Sequence, residues 1–428
     1  MNDAANDFTH DCANRRPAEP SSLPSSMSNL LNAPRTRSLL ASLLVTCGAL
    51  TAPLEARAGD RLEFKPAANS KSHKRFNAGH ELRIDDNGVV QGDLPYVSDG
   101  TAGWISSTHR VEFLDHYLRV GEGKPLEFTR QIRDSVINAK ANITRPNGMV
   151  LTEHAPCASP LRRQKVRFTW VERLNDWARC YVDIDGEEPW LDELRGGFEF
   201  VEFLPKGEVE VGAQWDVPAE ALRGALAPGG NLKITPATPN LFGRLVELGV
   251  AGDFADALGA ELSGDIKATY RGRRQEVETE PQTQTQTQGE GEREGGAAKT
   301  YDVAVIELEF NLASVVDRTM LYIMAMPEQE RREPARIESV PVEFTAIGTA
   351  TLLWDMNAGR AHSFKLQGQE SFSSTVHKTR FDGRSSMPVS QIGRYSGPLT
   401  VEVTVRDGAD VNEVIEPPKR GSRPGQKR

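Results

Sequence analysis

Apolar and polar residues alternate with a period of two through much of the C-terminal half. Ala304, Ile306, Leu308, Phe310 and Leu312 occupy alternate positions, with Glu307, Glu309 and Asn311 between them. Val342, Phe344, Ala346, Ala350, Leu352 and Trp354 continue the rule opposite Glu343, Thr345, Thr349 and Thr351. A further run sets His362, Phe364 and Leu366 against Ser363, Lys365 and Gln367, and a last one sets Leu399, Val401, Val403 and Val405 on one face. Successive side chains of a strand point to opposite sides, so this pattern predicts antiparallel strands with one buried face. Residues 355–359, DMNAG, are a turn between two of them.

The N-terminal half is less regular. Residues 59–103 are polar and rich in turn residues, with IDDNG at 84–88 and SDG at 98–100. Residues 110–120 fit a strand or a short helix equally well, and lead through the turn at 121–125 into LEFTRQIRDSVINAK. Val166, Phe168 and Trp170 alternate, as do Ala178, Cys180, Val182 and Ile184, so both segments read as strands. Residues 198–204 are dense in aromatic and apolar side chains and read as another. VEVGAQWDV at 209–217 is a strand that ends near Asp216. Asp216 then caps a short helix, PAEALRGAL, with Pro218 in its first turn and Glu220 adding negative charge there. A second helix is expected over 241–258.

The fold class expected is mainly β (α+β), with antiparallel sheets of long amphipathic strands, a few short helices and an arrangement open to two similar halves. The expected organisation is a disordered extension (1–34, with Met27 as an alternative start), a signal peptide (35–58), a β-rich unit (59–205), an antiparallel β unit (206–415) and a disordered basic tail (416–428). The signal rests on Arg35 and Arg37, an apolar run over 38–54, and small residues at Ala56 and Ala58 where signal peptidase cuts. The run is shorter than the roughly 20 apolar residues of a spanning helix, so a stable transmembrane segment is not expected after cleavage. A retained anchor, or a lipoprotein attached through Cys47, is the lesser reading. Within the second unit, residues 272–299 contain the repetitive EVETEPQTQTQTQGEGEREGG, too poor in apolar groups to offset the entropy of ordering.

The net charge of −9 gives no general attraction to nucleic acid. After cleavage two cysteines remain, Cys157 and Cys180, and in an exported chain they are candidates for a disulfide worth roughly 3 kcal/mol. Two separate buried thiols are the alternative.

The segments VGAQW at 211–215 and LWDMNAGR at 353–360 resemble those of uncharacterised exported bacterial proteins containing a β-rich repeat-like unit. There a G-x-x-W strand precedes a short helix, and a later strand ends in a W-D-x-x-x-G-R-like hairpin. The resemblance spans about 205–405. It implies the fold and brings no activity or site residues with it.

Candidate chemistry fails motif by motif. His109, Glu112 and His116 share a face only if their segment is helical, and their spacing is not that of a zinc protease. His80-Glu81 lacks the second histidine. The acidic stretch 183–188 and Asp85-Asp86-Asn87-Gly88 miss the end ligands of a calcium loop. Residues 121–125 lack the first glycine and the hydroxyl residue of a phosphate loop. The six tryptophans suit core packing better than a glycan face, with Trp190 the best surface candidate. No catalytic residue, metal ligand or cofactor is therefore assigned; whether the chain is an enzyme stays open, with non-catalytic the leading reading. The expected function is binding or scaffolding in the envelope, periplasmic or secreted, with an envelope component as partner. A carrier of a lipid or other apolar ligand is the alternative, and a hydrolase with an unrecognised site the second alternative.

Overall fold

The long alternating runs become long strands. The computed structural model describes residues 59–182, 186–197, 199–236, 258, 261–277, 299–325, 335–381, 383 and 385–408. In chain order the strands are β1 (Asp60–Arg61), β2 (Lys71–Gln91), β3 (Val97–Ser98), β4 (Ala102–Gly121), β5 (Lys124–Thr144), β6 (Val150–Ala158), β7 (Lys165–Val171), β8 (Asp176–Tyr181), β9 (Glu208–Val209) and β10 (Gln214–Val217). After helix α1 (Glu220–Leu226) come β11 (Thr235–Pro236), β12 (Ser263–Val277) and β13 (Thr300–Asp317). Helix α2 (Thr319–Ala325) precedes β14 (Ala335–Ser339), β15 (Pro341–Asp355), β16 (Arg360–Phe381) and β17 (Ser386–Asp407).

β1 and β9 form a small ladder, and the other strands form one antiparallel sheet in the order β10-β12-β13-β15-β16-β17-β2-β4-β5-β6-β11. β17 pairs with β2, so residues on both sides of position 205 share one sheet and one hydrophobic core. Residues from Asp60 onward form one compact unit. The inner side carries Phe76, Leu82, Ile105, Val111, Phe310, Phe344, Phe364, Phe372 and Val403, all buried. Each such side chain stabilises by roughly 1.5–3 kcal/mol. The outer side carries Arg75, Asn77, Glu81, Lys365, Gln367, Thr400 and Glu402, all exposed.

The inner face is covered by the chain itself. Between residues 186 and 236 the described short turns and α1 form an inner segment, while β9, β10 and β11 of the same stretch pair with other strands. Its Leu191, Leu194, Phe200, Phe203, Leu222, Leu226 and Leu232 belong to the same core as the sheet. Phe200 stacks on Phe364 with ring centroids 5.0 Å apart, and Phe203 lies 5.8 Å from the same ring.

Several expectations are corrected here. Residues 71–91, read as turn-rich, are a strand of 21 residues. Phe76, Ala78, Leu82 and Ile84 do alternate inward, but His80 shares their face and breaks the apolar pattern. Residues 110–120 are strand, because β2 and β5 pair with them on both sides. Residues 199–204, within the stretch read as a strand, are not one: Val201–Phe203 is a 3-10 turn in the inner segment. Asp216 does not cap α1. It stands in β10 opposite Lys267, and the helix begins after Ala219 with no side-chain cap. The insertion starts later than expected, since 272–277 pair with 300–305. The 1–34 extension, the 35–58 signal with Ala56 and Ala58, the helix over 241–257, residues 278–298 and the 416–428 tail lie outside the described residues.

The DMNAG turn holds as read. Asp355 Oδ1 accepts from the backbone N–H of Asn357 and of Ala358, each at 2.9 Å.

Candidate functional site

Two polar clusters interrupt the apolar inner face. The first is ionic. Lys74 (β2), Asp115 (β4) and Arg130 (β5) sit on neighbouring strands, and Glu199 reaches them from the inner segment, all four being buried. Arg130 Nε and Nη2 donate to the two Asp115 oxygens at 2.7 and 2.8 Å, a bidentate pairing. Lys74 Nζ donates to Asp115 Oδ2 at 2.7 Å and also to Glu199. Tyr117 Oη donates to Glu199 Oε2 at 2.7 Å. Arg130 Nη1 donates to the Arg195 carbonyl at 3.0 Å, a second tie to the inner segment. The guanidinium also lies over Phe113, 4.6 Å from the ring centroid.

These four groups carry two positive and two negative charges, so the cluster is balanced. Burial alone pushes the Asp115 carboxyl up, but the Arg130 and Lys74 charges outweigh it and hold the group below its ordinary value. Burial and the adjacent Glu199 charge push the Tyr117 hydroxyl well up. Tyr117 is thus a fixed donor. The cluster fastens the inner segment to the sheet.

The second cluster lies farther along the same face. His80 (β2) and Ser107 (β4) are a cross-strand pair, and Ser107 Oγ contacts His80 Nε2. His80 Nδ1 lies 2.9 Å from Glu370 Oε1 of β16, on the far side of β17. Serine, histidine and carboxylate therefore stand in the contact order of a nucleophilic triad. Ser107 is only 3% exposed, and its strand is paired on both sides, with β2 and with β5. Next to it His109 is buried, and neither ring nitrogen has a partner among the described residues. Burial, with His80 nearby, pushes the His109 imidazole down to about 3. Burial pushes the Glu370 carboxyl up, against the opposing pull of His80.

Sequence reasoning passed over most of this. It examined His80, Glu81, His109, Glu112 and His116 as motif members, and the strand scatters them. His109 points inward, whereas Glu112 faces outward and meets His73 Nε2 at 2.5 Å. The signal that finds the clusters is a polar residue at an inward position of an alternating strand: Lys74, His80, Ser107, His109, Asp115, Arg130 and Glu370. No group of three or more His, Cys, Asp or Glu among the described residues is arranged to hold a metal ion.

The cysteine expectation is corrected. Cys157 is a buried free thiol, and no Cys157–Cys180 bond is present. Cys157 stands opposite Ile137 on β5. Cys180 stands opposite Arg167 of β7, which pairs with Thr129 of β5. Eight positions along β5 separate the two levels, about 25 Å at the rise of a strand, and a disulfide spans Cα atoms under about 7 Å apart.

Of the tryptophans, Trp354 is in the core. Trp215 donates to the Phe203 carbonyl at 3.1 Å. Trp170, expected inside, is only partly covered, with Lys124 Nζ 4.4 Å from its ring centroid. Trp190 packs its ring partly against the core.

Outside, two features are distinct. An open groove of about 500 Å³ crosses β12, β13 and β15 and is lined by Asp265, Lys267, Glu309 and Asn311 among others. At the hairpin end where β2 turns toward β4 and β16 turns into β17, the large apolar residues Leu94, Tyr96, Val97, Phe381 and Met387 are exposed. The two turns are joined there, since Gly92 N–H donates to the Pro388 carbonyl at 2.8 Å.

No protein-family model and no curated protein matches the chain. Solved structures give weak likenesses. The outer membrane protein OprG from Pseudomonas aeruginosa is 6% identical with a TM-score of 0.19, covering 79% of this chain and 98% of that one. A loop L8 deletion mutant of OmpT, an outer membrane protein of Vibrio cholerae, is 8% identical with a TM-score of 0.11, covering 79% and 100%. Scores this low carry no argument about fold or function. The outward residues named above on β2, β16 and β17 are charged and polar, unlike the apolar band that a lipid-facing barrel presents. No helix among the described residues is long and apolar enough to cross a membrane.

Proposed function

We propose that the chain is an exported, non-catalytic envelope protein that binds or scaffolds another protein through the hairpin end of its sheet. The observation that carries this reading is the filled inner face. A carrier needs that face vacant, and here Phe200, Phe203 and the Lys74–Glu199 pair close it with the chain's own inner segment. What is left for recognition is the outside, and the apolar group around Leu94 and Val97 is exposed there. Charges of both signs adjoin it, as in the Arg394–Asp86 pair at 3.3 Å. An anionic lipid or polymer finds no complementary field there, whereas a protein surface does. Export rests on the 35–58 segment of the sequence.

The test places a photoreactive residue at Val97, with a control at Lys365 on the outer face, and expresses each chain in an exporting host. A discrete polypeptide adduct at position 97 and none at 365 is expected. No adduct at 97, together with an organic-extractable mass on the purified protein by native mass spectrometry, would transfer the assignment to a carrier. Ester hydrolysis abolished by Ser107→Ala would transfer it to a hydrolase.

A further inference from the structure

The hairpin end of the sheet is built from two tips that stand side by side. One is the connection from β2 to β4, the other the turn from β16 to β17. Gly92 N–H donates to the Pro388 carbonyl at 2.8 Å, and a Cβ on Gly92 would stand 3.8 Å from Met387 Cγ. Each tip exposes large apolar side chains, Leu94, Tyr96 and Val97 on the first, Phe381 and Met387 on the second. Their charges are opposite. Residues 84–102 contain Asp85, Asp86, Asp93 and Asp99 and no lysine or arginine. Residues 377–394 contain Lys378, Arg380, Arg384 and Arg394 against the single acid Asp382. Asp86 and Arg394 meet within the chain at 3.3 Å. Asp85, Asp93 and Asp99 on one tip and Arg380 on the other are exposed.

An apolar patch divided into an acidic half and a basic half is complementary to itself. A two-fold axis through the Gly92–Pro388 junction lays the acidic tip of one copy on the basic tip of the other, and does so twice. We propose that the hairpin end is a self-association surface whose occupant is a second copy of this chain, docked tip against opposite tip. This rests on the reading of the hairpin end as a protein-docking surface and names what docks there.

The charge pattern selects this occupant. An anionic membrane matches the basic tip and repels the acidic one beside it. An unrelated protein must present both signs in the reverse order at the same spacing, whereas a second copy has that order by construction. A standard interface takes about 800 Å² from each partner, and the patch runs on past the two tips. A Cβ on Gly100 would stand 3.7 Å from Pro146, so the β5–β6 turn adjoins the acidic tip and adds exposed Met149 and Val150.

Sedimentation velocity of the full chain, purified from an exporting host and run over a series of dilutions, reads the association. A dimer that dissociates on dilution is expected. Asp93→Lys with Asp99→Lys reverses the acidic tip, and Lys378→Glu with Arg380→Glu reverses the basic one. Either reversed chain alone should associate about tenfold more weakly or worse, because both contacts of the pair become like-charged. An equal mixture of the two should regain the dimer, since each tip then meets its opposite in the other chain, and misfolding would not be rescued by mixing. The inference is overturned if the wild type is monomeric at every concentration, or if it dimerises and the reversed chains do so equally well, or if mixing restores nothing. A monomeric chain that still gives a photoadduct to a different polypeptide from Val97 leaves the docking reading standing without this one. A monomeric chain with no polypeptide adduct at 97 removes both.

Discussion

Lys74 of β2 and Glu199 of the inner segment, 125 residues apart in sequence, form an ion pair with side chains 2% and 5% exposed. Removing one member leaves the remaining buried charges unbalanced. Glu199→Gln should therefore cost about 3–5 kcal/mol, measured as a lower midpoint in urea unfolding. Tyr117 also loses its carboxylate acceptor. A Lys74→Met, Glu199→Leu double variant should recover part of the loss, because a matched apolar pair leaves less charge to desolvate.

Gly397 of β17 lies close against β2. Gly397→Ala places a methyl group inside contact distance of the Glu81 carbonyl oxygen and must push the strands apart. The expected cost is about 2–3 kcal/mol. Gly123→Ala makes a useful comparison, since a Cβ there meets nothing within 4 Å and only its φ of +71° is unfavourable. Thermal unfolding of the two variants should rank Gly397→Ala as the more damaging.

Glu370 gives a pH-dependent prediction of its own. Its carboxyl lies above the ordinary value in the folded chain, chiefly through burial. Such a group contributes stability below its unfolded value and loses it as pH rises through the folded one. Glu370→Gln should accordingly melt higher than wild type at pH 8, with the gap closing by pH 4. A variant that melts lower at pH 8 would mean that the bond to His80 outweighs burial.

Cys157 should be inert while the chain is folded. Burial pushes its thiol up to about 11, and the thiolate is the reactive form. Iodoacetamide at pH 8 should leave Cys157 unmodified under native conditions and alkylate it in urea. Peptide mapping should find no Cys157–Cys180 linkage.

The C-terminal strands were legible because their inward positions are apolar almost without exception, from Ala304 to Leu312 and from Leu399 to Val405. β2 was not, because its inward row includes Ser72, Lys74 and His80, and a period-two search counts those as outward residues. Lys74 and His80 belong to the candidate clusters, so the signal that hid the strand is the one that marks the site. Glu199 was out of reach for another reason. Its pairing with Lys74 depends on a tertiary approach that no local spacing encodes. The Asp355 turn needed only neighbours and was read correctly.

The pairing of β2 with β17 also sets an order of events for folding. Arg394 and Asp86, 308 positions apart in sequence, meet across this ladder. Until the last long strand is available, β2 can pair only with β3 and β4, and its other edge stays open to any passing strand. Contacts this distant in sequence are slow to form. A chain made N-terminus first therefore carries a long unprotected edge through most of its synthesis, and concentration or a holding chaperone should govern how much of it reaches the closed sheet.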